Sequence, residues 1–160
     1  MTLNDLYFDL QCLDSIVTLI TCNFSQVQLR AIKKLPTLAV ILDVDRTRHE
    51  LLPCLEAFFN AVHMQNDEIS ICLAEQIGKF LPFIGGSEFA HILFPILEKM
   101  AASEDTMTKE KAVDALQRIA SLMEVVHLEA HFVPVIERLA GSTWFTSRSS
   151  ATALIAVSFE

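Results

Sequence analysis

Three prolines recur in one frame along this chain, at spacings of 42 and 39 residues. Pro53, Pro95 and Pro134 each follow two apolar residues, and each has a glutamate at the third position after it. A proline inside a helix removes a backbone hydrogen bond, so a single one usually marks a kink or a helix boundary. Three prolines in one frame instead indicate a structural unit that repeats along the chain.

A second set of residues repeats in step with the prolines. The segments "AIKKL", "LAEQI", "AVDAL" and "SATAL" end at Leu35, Ile77, Leu116 and Leu154, spaced by 42, 39 and 38 residues. Three positions before the last residue of each segment stands a small or apolar residue, namely Ile32, Ala74, Val113 and Ala151. The prolines and these segments lie on different helical stretches, so the repeating unit contains two helices.

Helical periodicity covers most of the chain, because apolar residues recur at spacings of three and four, whereas strand patterns are weak. Thr47 with Glu50 predicts a capping box at the start of the third helix. The predicted helices span residues 5–21, 26–42, 47–62, 67–83, 87–102, 107–123, 127–140 and 144–159.

A period of about 40 residues with two helices per unit is typical of HEAT repeats. The sequence therefore predicts an all-α fold, an α-solenoid of about four helix pairs that forms a single domain over residues 1–160. In such a stack the prolines would let successive first helices follow the curve, unless they are simply tolerated near a helix start. The predicted repeats span residues 5–42, 47–83, 87–123 and 127–159.

Composition excludes several classes of partner. The net charge is −8, from 12 basic and 20 acidic residues, which argues against a nucleic-acid partner because such binders need a basic face. Charges interrupt every apolar run before it reaches the ~18 residues of a membrane span, so we expect no membrane insertion. The first residues carry Asp5 and Asp9 and no basic region, unlike a secretory signal. We expect a cytoplasmic protein, with the nucleus as a second compartment.

The cysteines predict no disulfide or metal framework. No two of them form a CxxC pair, and all lie in apolar stretches, which is typical of buried, reduced thiols. The four cysteines are Cys12, Cys22, Cys54 and Cys72.

The segment "SATALIAVSFE" reads as an apolar helix without a polar cap. Because the end repeats of a solenoid need a polar outer face, we expect an exposed apolar C-terminal face on the isolated chain. A further repeat, another surface or self-association would cover it.

Six segments carry a family resemblance that extends over nearly the whole chain: "VQLRAIKKL", "DRTRHELLP", "LAEQIGKF", "IGGSEFAHILFPILE", "KEKAVDALQRIAS" and "LEAHFVPVIERLAGSTWFTSRSSA". In order, they resemble the four N-terminal repeats of the scaffold (A) subunit of protein phosphatase 2A. The resemblance implies a non-catalytic HEAT-repeat scaffold whose N-terminal repeats hold a regulatory subunit through the turns inside each helix pair. It also implies that the catalytic subunit binds the C-terminal repeats of the family, so we expect no direct binding to this short chain.

The implied contact turns lie near residues 23–26, 65–68, 104–108 and 143–148. Four acidic residues there, Asp67, Glu68, Glu104 and Asp105, are candidates to meet basic groups of a regulatory subunit. Their alternative role is to cap a helix or to stabilise its positive end. The second turn is less acidic than the family's run.

The turn after Gly141 carries Trp144, Phe145 and Arg148. An exposed tryptophan would be a suitable anchor for a partner, since binding hot spots favour this residue. The alternative is that both aromatic side chains pack in the core between adjacent repeats. Arg148 is predicted to pair with a carboxylate of this chain or of the partner.

No catalytic constellation, cofactor motif or metal site is predicted, so we expect the chain not to be an enzyme. His127 and His131 are four residues apart, as helical metal ligands can be, but no third ligand accompanies them. The favoured hypothesis is a scaffold that binds a phosphatase regulatory subunit. The alternatives are a HEAT adaptor with unrelated partners and a self-associating structural fragment.

Overall fold

The computed structural model describes residues 14–15, 17–22, 24–62 and 66–157, and every regular element among them is helical, as predicted. Two π-helical turns and two 3-10 helices separate the α-helices: Thr47–Leu51 and Leu128–Phe132 are π-helical, and Leu81–Ile84 and Ser87–Leu93 are 3-10. The α-helices are α1 (Ser25–Lys33), α2 (Leu35–Arg46), α3 (Leu52–Val62), α4 (Asp67–Ile77), α5 (Phe94–Ala101), α6 (Thr106–Ala120), α7 (Val125–His127), α8 (Val133–Ala140) and α9 (Phe145–Val157).

The helices pack in two rows, in which each helix contacts its equivalent in the next hairpin. The first row consists of α3, α5 and α8, and the second row consists of α1, α4, α6 and α9, each in that order. Helices that follow each other in sequence pack across the rows, α3 on α4, α5 on α6 and α8 on α9. The described hairpins are therefore stacked on one another, which is the α-solenoid architecture.

The residues that define the repeat frame in the sequence lie in the core of this stack. Leu35, Ile77, Leu116 and Leu154 are each 0% exposed. Full burial of an aliphatic side chain contributes roughly 1.5–3 kcal/mol, so each of these positions adds to the stability of the shared core. The positions three residues earlier are buried as well: Ile32, Ala74, Val113 and Ala151.

The second row is closely packed between α4 and α6. A Cβ atom added at Gly78 would lie 2.9 Å from the Cβ of Ala115, so the absence of a side chain lets the two helices approach. Above this contact, Lys111 on α6 forms a 3.0 Å ion pair with Glu75 on α4. The small residue and the ion pair together fix how the second and third hairpins lie against each other.

Each proline of the frame marks a change in the backbone hydrogen-bond register. Pro53, Pro95 and Pro134 are the second residues of α3, α5 and α8. The N–H groups just before them, on Leu52 and Val133, donate to carbonyls five residues back, which is the π pattern. Because proline has no N–H to donate, the ladder can change there to the α pattern.

Two predicted helices are shorter in the structure, and a proline lies close to each difference. The prediction of one helix over 26–42 is wrong, because a turn at Lys34 separates α1 from α2 and Pro36 is the second residue of α2. The predicted helix 67–83 ends at Ile77 with Gly78 as its C-cap, and Pro82 lies in the 3-10 helix that follows. Pro36 and Pro82 have no N–H to donate, so neither can continue the hydrogen-bond ladder of the helix before it.

The predicted capping box of Thr47 and Glu50 is also wrong, because the helix begins earlier. Asp43 has φ 66° and ψ 177°, and its Oδ1 accepts a 3.1 Å hydrogen bond from the N–H of Arg46. Thr47 is fully buried, and its hydroxyl donates to the Asp43 carbonyl at 2.6 Å. Asp43 thus acts as the cap of this turn, in a backbone conformation that few residues other than glycine adopt.

Arg48 fastens the second hairpin to the connection that leads to the third. Its Nε donates a 2.7 Å hydrogen bond to the Ile84 carbonyl, and its guanidinium lies 3.5 Å from the centroid of the Phe89 ring. Gly85, with φ 91°, lies directly against this guanidinium, so a side chain there would displace it. Two segments of the family resemblance, "DRTR" (45–48) and "IGGSEF" (84–89), therefore contact each other through Arg48.

Ion pairs join neighbouring helices of the first row. Glu56 on α3 accepts a 2.6 Å hydrogen bond from Lys99 on α5, and Glu98 on α5 binds Arg138 on α8 through two bonds of 2.7 and 2.9 Å. The hydrogen bonds with Glu98 raise the pKa of Arg138. Glu137 occupies the same frame position on α8 and forms no ion pair with a described residue.

Replacement of Asp43 tests whether the turn is strained. Asp43→Ala removes the cap and keeps the positive φ, so we expect it to lower the free energy of unfolding by about 1 kcal/mol or more. Asp43→Gly also removes the cap but relieves the backbone strain, so it should be at least as stable as the wild type. Urea unfolding measures both, and equal losses in the two variants would contradict this account.

Replacement of Glu98 tests the first-row ion pairs. We expect Glu98→Gln to lower the free energy of unfolding by at most about 1 kcal/mol, because Arg138 is more than half exposed and solvent screens the pair. The difference should vanish in about 1 M NaCl, where screening is strong. Glu137→Gln is the matched control and should have no effect at either salt concentration.

Candidate protein-interaction surface

The turns inside the hairpins lie side by side along one edge of the stack. Across the first two turns, the Asn66 side-chain amide donates a 3.1 Å hydrogen bond to the Ser25 hydroxyl. Across the last two, the hydroxyl of Thr146 donates to the Ala102 carbonyl at 3.2 Å. We call this edge the turn ridge and define it by residues 24–25, 66–68, 103–107 and 143–148.

The predicted acidic residues occupy the middle of the turn ridge, but they do not share one role. Asn66 caps α4 by accepting a 3.3 Å hydrogen bond from the Ile69 N–H, which leaves the carboxylates of Asp67 and Glu68 exposed in the first turn. Glu104 is exposed in the next turn. These three carboxylates are free to meet a basic partner.

Asp105 is different, because the structure gives it the alternative capping role. Its Oδ2 accepts a 2.7 Å hydrogen bond from the Thr108 N–H, and the side chain is half-buried. Its negative charge also lies at the positive end of α6, where it stabilises the helix. A substitution of Asp105 would therefore change stability as well as surface charge.

The aromatic residues of the fourth turn point away from the core. Trp144 is 65% exposed and Phe145 is 74% exposed, so the alternative in which both pack between repeats is wrong. Each stands at the start of α9, before the helix turns its buried face to its neighbours. The structure thus leaves two adjacent aromatic side chains exposed on the turn ridge, and such residues are suitable anchors for a protein partner.

Arg148 holds the fourth turn in shape and forms no pair with a carboxylate of the described residues. Its Nη1 donates to the carbonyls of Ser142 and Thr143 at 3.0 and 2.8 Å. Within the described residues, the predicted ion pair with a carboxylate of this chain is therefore not formed. Arg148 is exposed, so its guanidinium carries a positive charge on the surface of the ridge.

Sequence reasoning missed two apolar residues of the turn ridge. Phe24 in the first turn is 71% exposed, and Met107 in the third turn is 48% exposed. The sequence does contain a signal for both residues. Each lies at a predicted turn, where the helices of the adjacent hairpins are not expected to cover an apolar side chain. With Trp144 and Phe145, these residues place exposed apolar surface on three of the four turns.

The structure offers no metal centre within the ranges it describes, since no group of three or more His, Cys, Asp or Glu side chains is arranged to hold an ion. His127 and His131 instead stack ring on ring, with centroids 6.3 Å apart. Cys22, Cys54 and Cys72 are free thiols, and burial raises the pKa of Cys54 and Cys72. Cys12 lies outside the described residues.

Two further expectations concern membrane spans and the apolar C-terminal face. None of its helices is long and apolar enough to cross a membrane. On the predicted apolar C-terminal face, Ile155 is 41% exposed and Leu154 is buried, whereas Phe159 lies outside the described residues.

Comparison with known proteins gives consistent relatives. The chain is 47% identical over 134 residues to the beta isoform of the 65 kDa regulatory (A) subunit of serine/threonine-protein phosphatase 2A from Rattus norvegicus. It is 42% identical over 135 residues to the alpha isoform from Arabidopsis thaliana, and 45% identical over 127 residues to the PP2A regulatory (A) subunit of Saccharomyces cerevisiae. These matches cover 84%, 84% and 79% of the chain. No protein-family model matches it.

The chain is a homologue of the regulatory (A) subunit of protein phosphatase 2A. The resemblance predicted from the sequence is thereby confirmed, together with the HEAT-repeat class of the solenoid. The relatives are regulatory subunits, which confirms the prediction of a non-catalytic chain. This homologue spans 22% of the length of the mammalian and plant relatives and 20% of the yeast one.

The exposure of the fourth turn predicts how its aromatic residues contribute to stability. We expect Trp144→Ala and Phe145→Ala each to change the free energy of unfolding by less than about 0.5 kcal/mol, because both side chains are largely solvated. The control Phe132→Ala removes a side chain that is 1% exposed and should cost about 3–5 kcal/mol. Losses above about 1 kcal/mol from the two exposed positions would place them in the core instead.

Proposed function

We propose that the chain is a non-catalytic scaffold that binds a phosphatase regulatory subunit along its turn ridge. The observation that carries the proposal is the row of exposed carboxylates and aromatic side chains on one edge of the stack. The 47% identity to a PP2A regulatory (A) subunit, over 84% of the chain, supports the class of partner. HEAT solenoids use extended surfaces of this kind to hold other proteins.

The acidic part of the ridge favours a partner with a basic surface. Asp67, Glu68 and Glu104 are exposed, and none of them forms an ion pair with a described residue. Such charges speed the encounter and fix the orientation of a partner more than they add affinity. The second turn carries only two of them, so the electrostatic share of the binding is modest.

The aromatic part of the ridge supplies the contact area that charge does not. Trp144 and Phe145 are adjacent and exposed. The Arg148 side chain stabilises their turn by donating hydrogen bonds to the backbone carbonyls of Ser142 and Thr143. A rigid, exposed tryptophan loses little conformational entropy when a partner covers it, which is why tryptophan is enriched at binding hot spots. We therefore assign the anchor of the interface to the fourth turn and the orienting charges to the second and third.

The part of the family that the chain matches bears on whether a catalytic subunit also binds. The chain spans 22% of the length of its mammalian relatives. The resemblance implies that a catalytic subunit binds the C-terminal repeats of the family, whereas residues 1–160 resemble the four N-terminal repeats. The proposed role is therefore that of a partial scaffold, which occupies a regulatory subunit without bringing a catalytic subunit to it. Such a molecule would compete with a full-length scaffold subunit.

Charge reversal on the turn ridge tests the proposal. With the purified chain as bait and a purified regulatory subunit as partner, we expect Asp67→Lys with Glu68→Lys to weaken binding about tenfold and to reduce its dependence on salt. The matched control reverses two exposed acidic residues away from the ridge, Asp114→Lys with Glu137→Lys, and should bind like the wild type.

A second measurement separates the proposal from its alternatives. A pull-down from lysate, followed by a phosphatase assay, should recover regulatory subunit without catalytic activity. Recovery of neither subunit would contradict the proposal and would favour a HEAT adaptor with unrelated partners. Sedimentation at micromolar concentration distinguishes the self-associating fragment, which would form a dimer or larger species, from the monomer that we expect.

A further inference from the structure

Three histidine side chains stack across the joint between the third and fourth hairpins. His91 lies on the 3-10 helix Ser87–Leu93, and its ring centroid is 4.5 Å from that of His131 in the π turn Leu128–Phe132. The ring of His127 lies 6.3 Å from that of His131, centroid to centroid. The ring planes are inclined by only 22° and 10°, so the imidazoles of His91 and His127 are both nearly parallel to that of His131.

The stack is part of the contact that holds the two hairpins together. Phe94 and Phe132 form a second aromatic pair between the same hairpins, with centroids 5.7 Å apart. Phe132 and Phe94 are buried, whereas the three histidines are half-buried. Two aromatic contacts, one buried and one partly exposed, therefore join these hairpins.

Neighbouring charges do not stabilise protonated imidazoles in this stack. The exposed carboxylates of the two histidine-bearing segments form no hydrogen bond or ion pair with an imidazole, and Glu98 is engaged by Arg138 while Arg48 lies on Phe89. The Nδ1 of His91 is buried and has no hydrogen-bond partner among the described residues. The charged side chains on the segments packed around the stack are Arg48, Glu88, Glu98, Lys99, Glu124, Glu129, Glu137 and Arg138.

We propose that this three-histidine stack is an acid-sensitive joint, which holds the third and fourth hairpins together when its imidazoles are neutral and weakens when they are protonated. Neutral rings attract each other at these separations, whereas two imidazolium ions 4.5 Å apart repel each other in a partly desolvated site. A proton added at His91 Nδ1 would also bury an N–H donor without an acceptor.

The direction of the pH dependence follows from His131, which lies in the middle of the stack. Its burial, with smaller contributions from His91 and His127, lowers its pKa below the ordinary value of 6.5. The unfolded chain therefore takes up a proton at His131 at a higher pH than the folded chain does. The joint is therefore most stable above about pH 6.5. It loses stability as the pH falls below this value towards the pKa of His131 in the folded chain.

The chain contains its own comparison site. His49 occupies the equivalent place in the second hairpin, 42 residues before His91 and four residues before Pro53. Its Nδ1 lies 2.8 Å from the carbonyl oxygen of Asp45, and its ring does not stack on another described ring. A change at His49 therefore alters an imidazole in the same repeat position without touching the stack.

Hydrogen exchange read by mass spectrometry between about pH 8 and about pH 5 tests the joint. After correction for the intrinsic exchange rate, we expect the wild-type chain to lose protection in residues 128–157 at low pH before it does so in residues 67–77. His131→Phe keeps an aromatic ring in the stack but cannot be protonated, so this loss should be smaller in the variant. The control His49→Phe should behave like the wild type.

Proton titration of the histidine ring signals by NMR provides the second readout. It should show that the pKa of His131 in the wild-type chain lies below the ordinary value of 6.5. An equal, uniform loss of protection in the wild type and in His131→Phe would overturn the proposal, and so would a His131 that titrates at or above that value. If His131→Phe proves too unstable to study, His127→Gln removes the outer ring instead, and the pKa of His131 should then rise toward the ordinary value.

Discussion

Burial of one apolar residue per hairpin, at a fixed frame position, ties each hairpin of this chain to its neighbours. Leu35, Ile77, Leu116 and Leu154 are fully buried in one core cluster that runs through the described hairpins. In a solenoid, each unit depends on its neighbours to complete such a core. The close approach of α4 and α6 at Gly78 and the ion pairs between neighbouring hairpins refine this packing rather than create it. A stack held in this way leaves the turn edges free, which is where the candidate interface lies.

The period and class of the fold could be predicted from the sequence, because both depend on which residues recur and at what spacing. The local backbone could not. The π and 3-10 segments before Pro53, Pro95 and Pro134 arise because a missing N–H lets the hydrogen-bond register change, and tertiary packing decides in which direction. Asp43 is a similar case, because an aspartate at this position does not by itself predict a positive φ.

The candidate site was predictable in location but only partly in detail. The turns could be located from helix spacing and from the family resemblance, and three of the four predicted carboxylates are exposed there. Sequence could not decide between core and surface for Trp144 and Phe145, because that depends on whether a neighbouring hairpin reaches the turn. The basic partners of Glu56 and Glu98 were also missed, although Lys99 and Arg138 directly follow a glutamate of the proline frame.

Trp144 is the sole tryptophan of the chain, and its indole is largely surrounded by water. The tryptophan fluorescence of the protein, excited selectively at the red edge of its absorption, therefore originates at one end of the turn ridge. Unfolding will change this emission little, whereas a molecule that covers the fourth turn will shift it to shorter wavelength. The solenoid thus has an intrinsic fluorescent probe on the surface that we propose binds a partner.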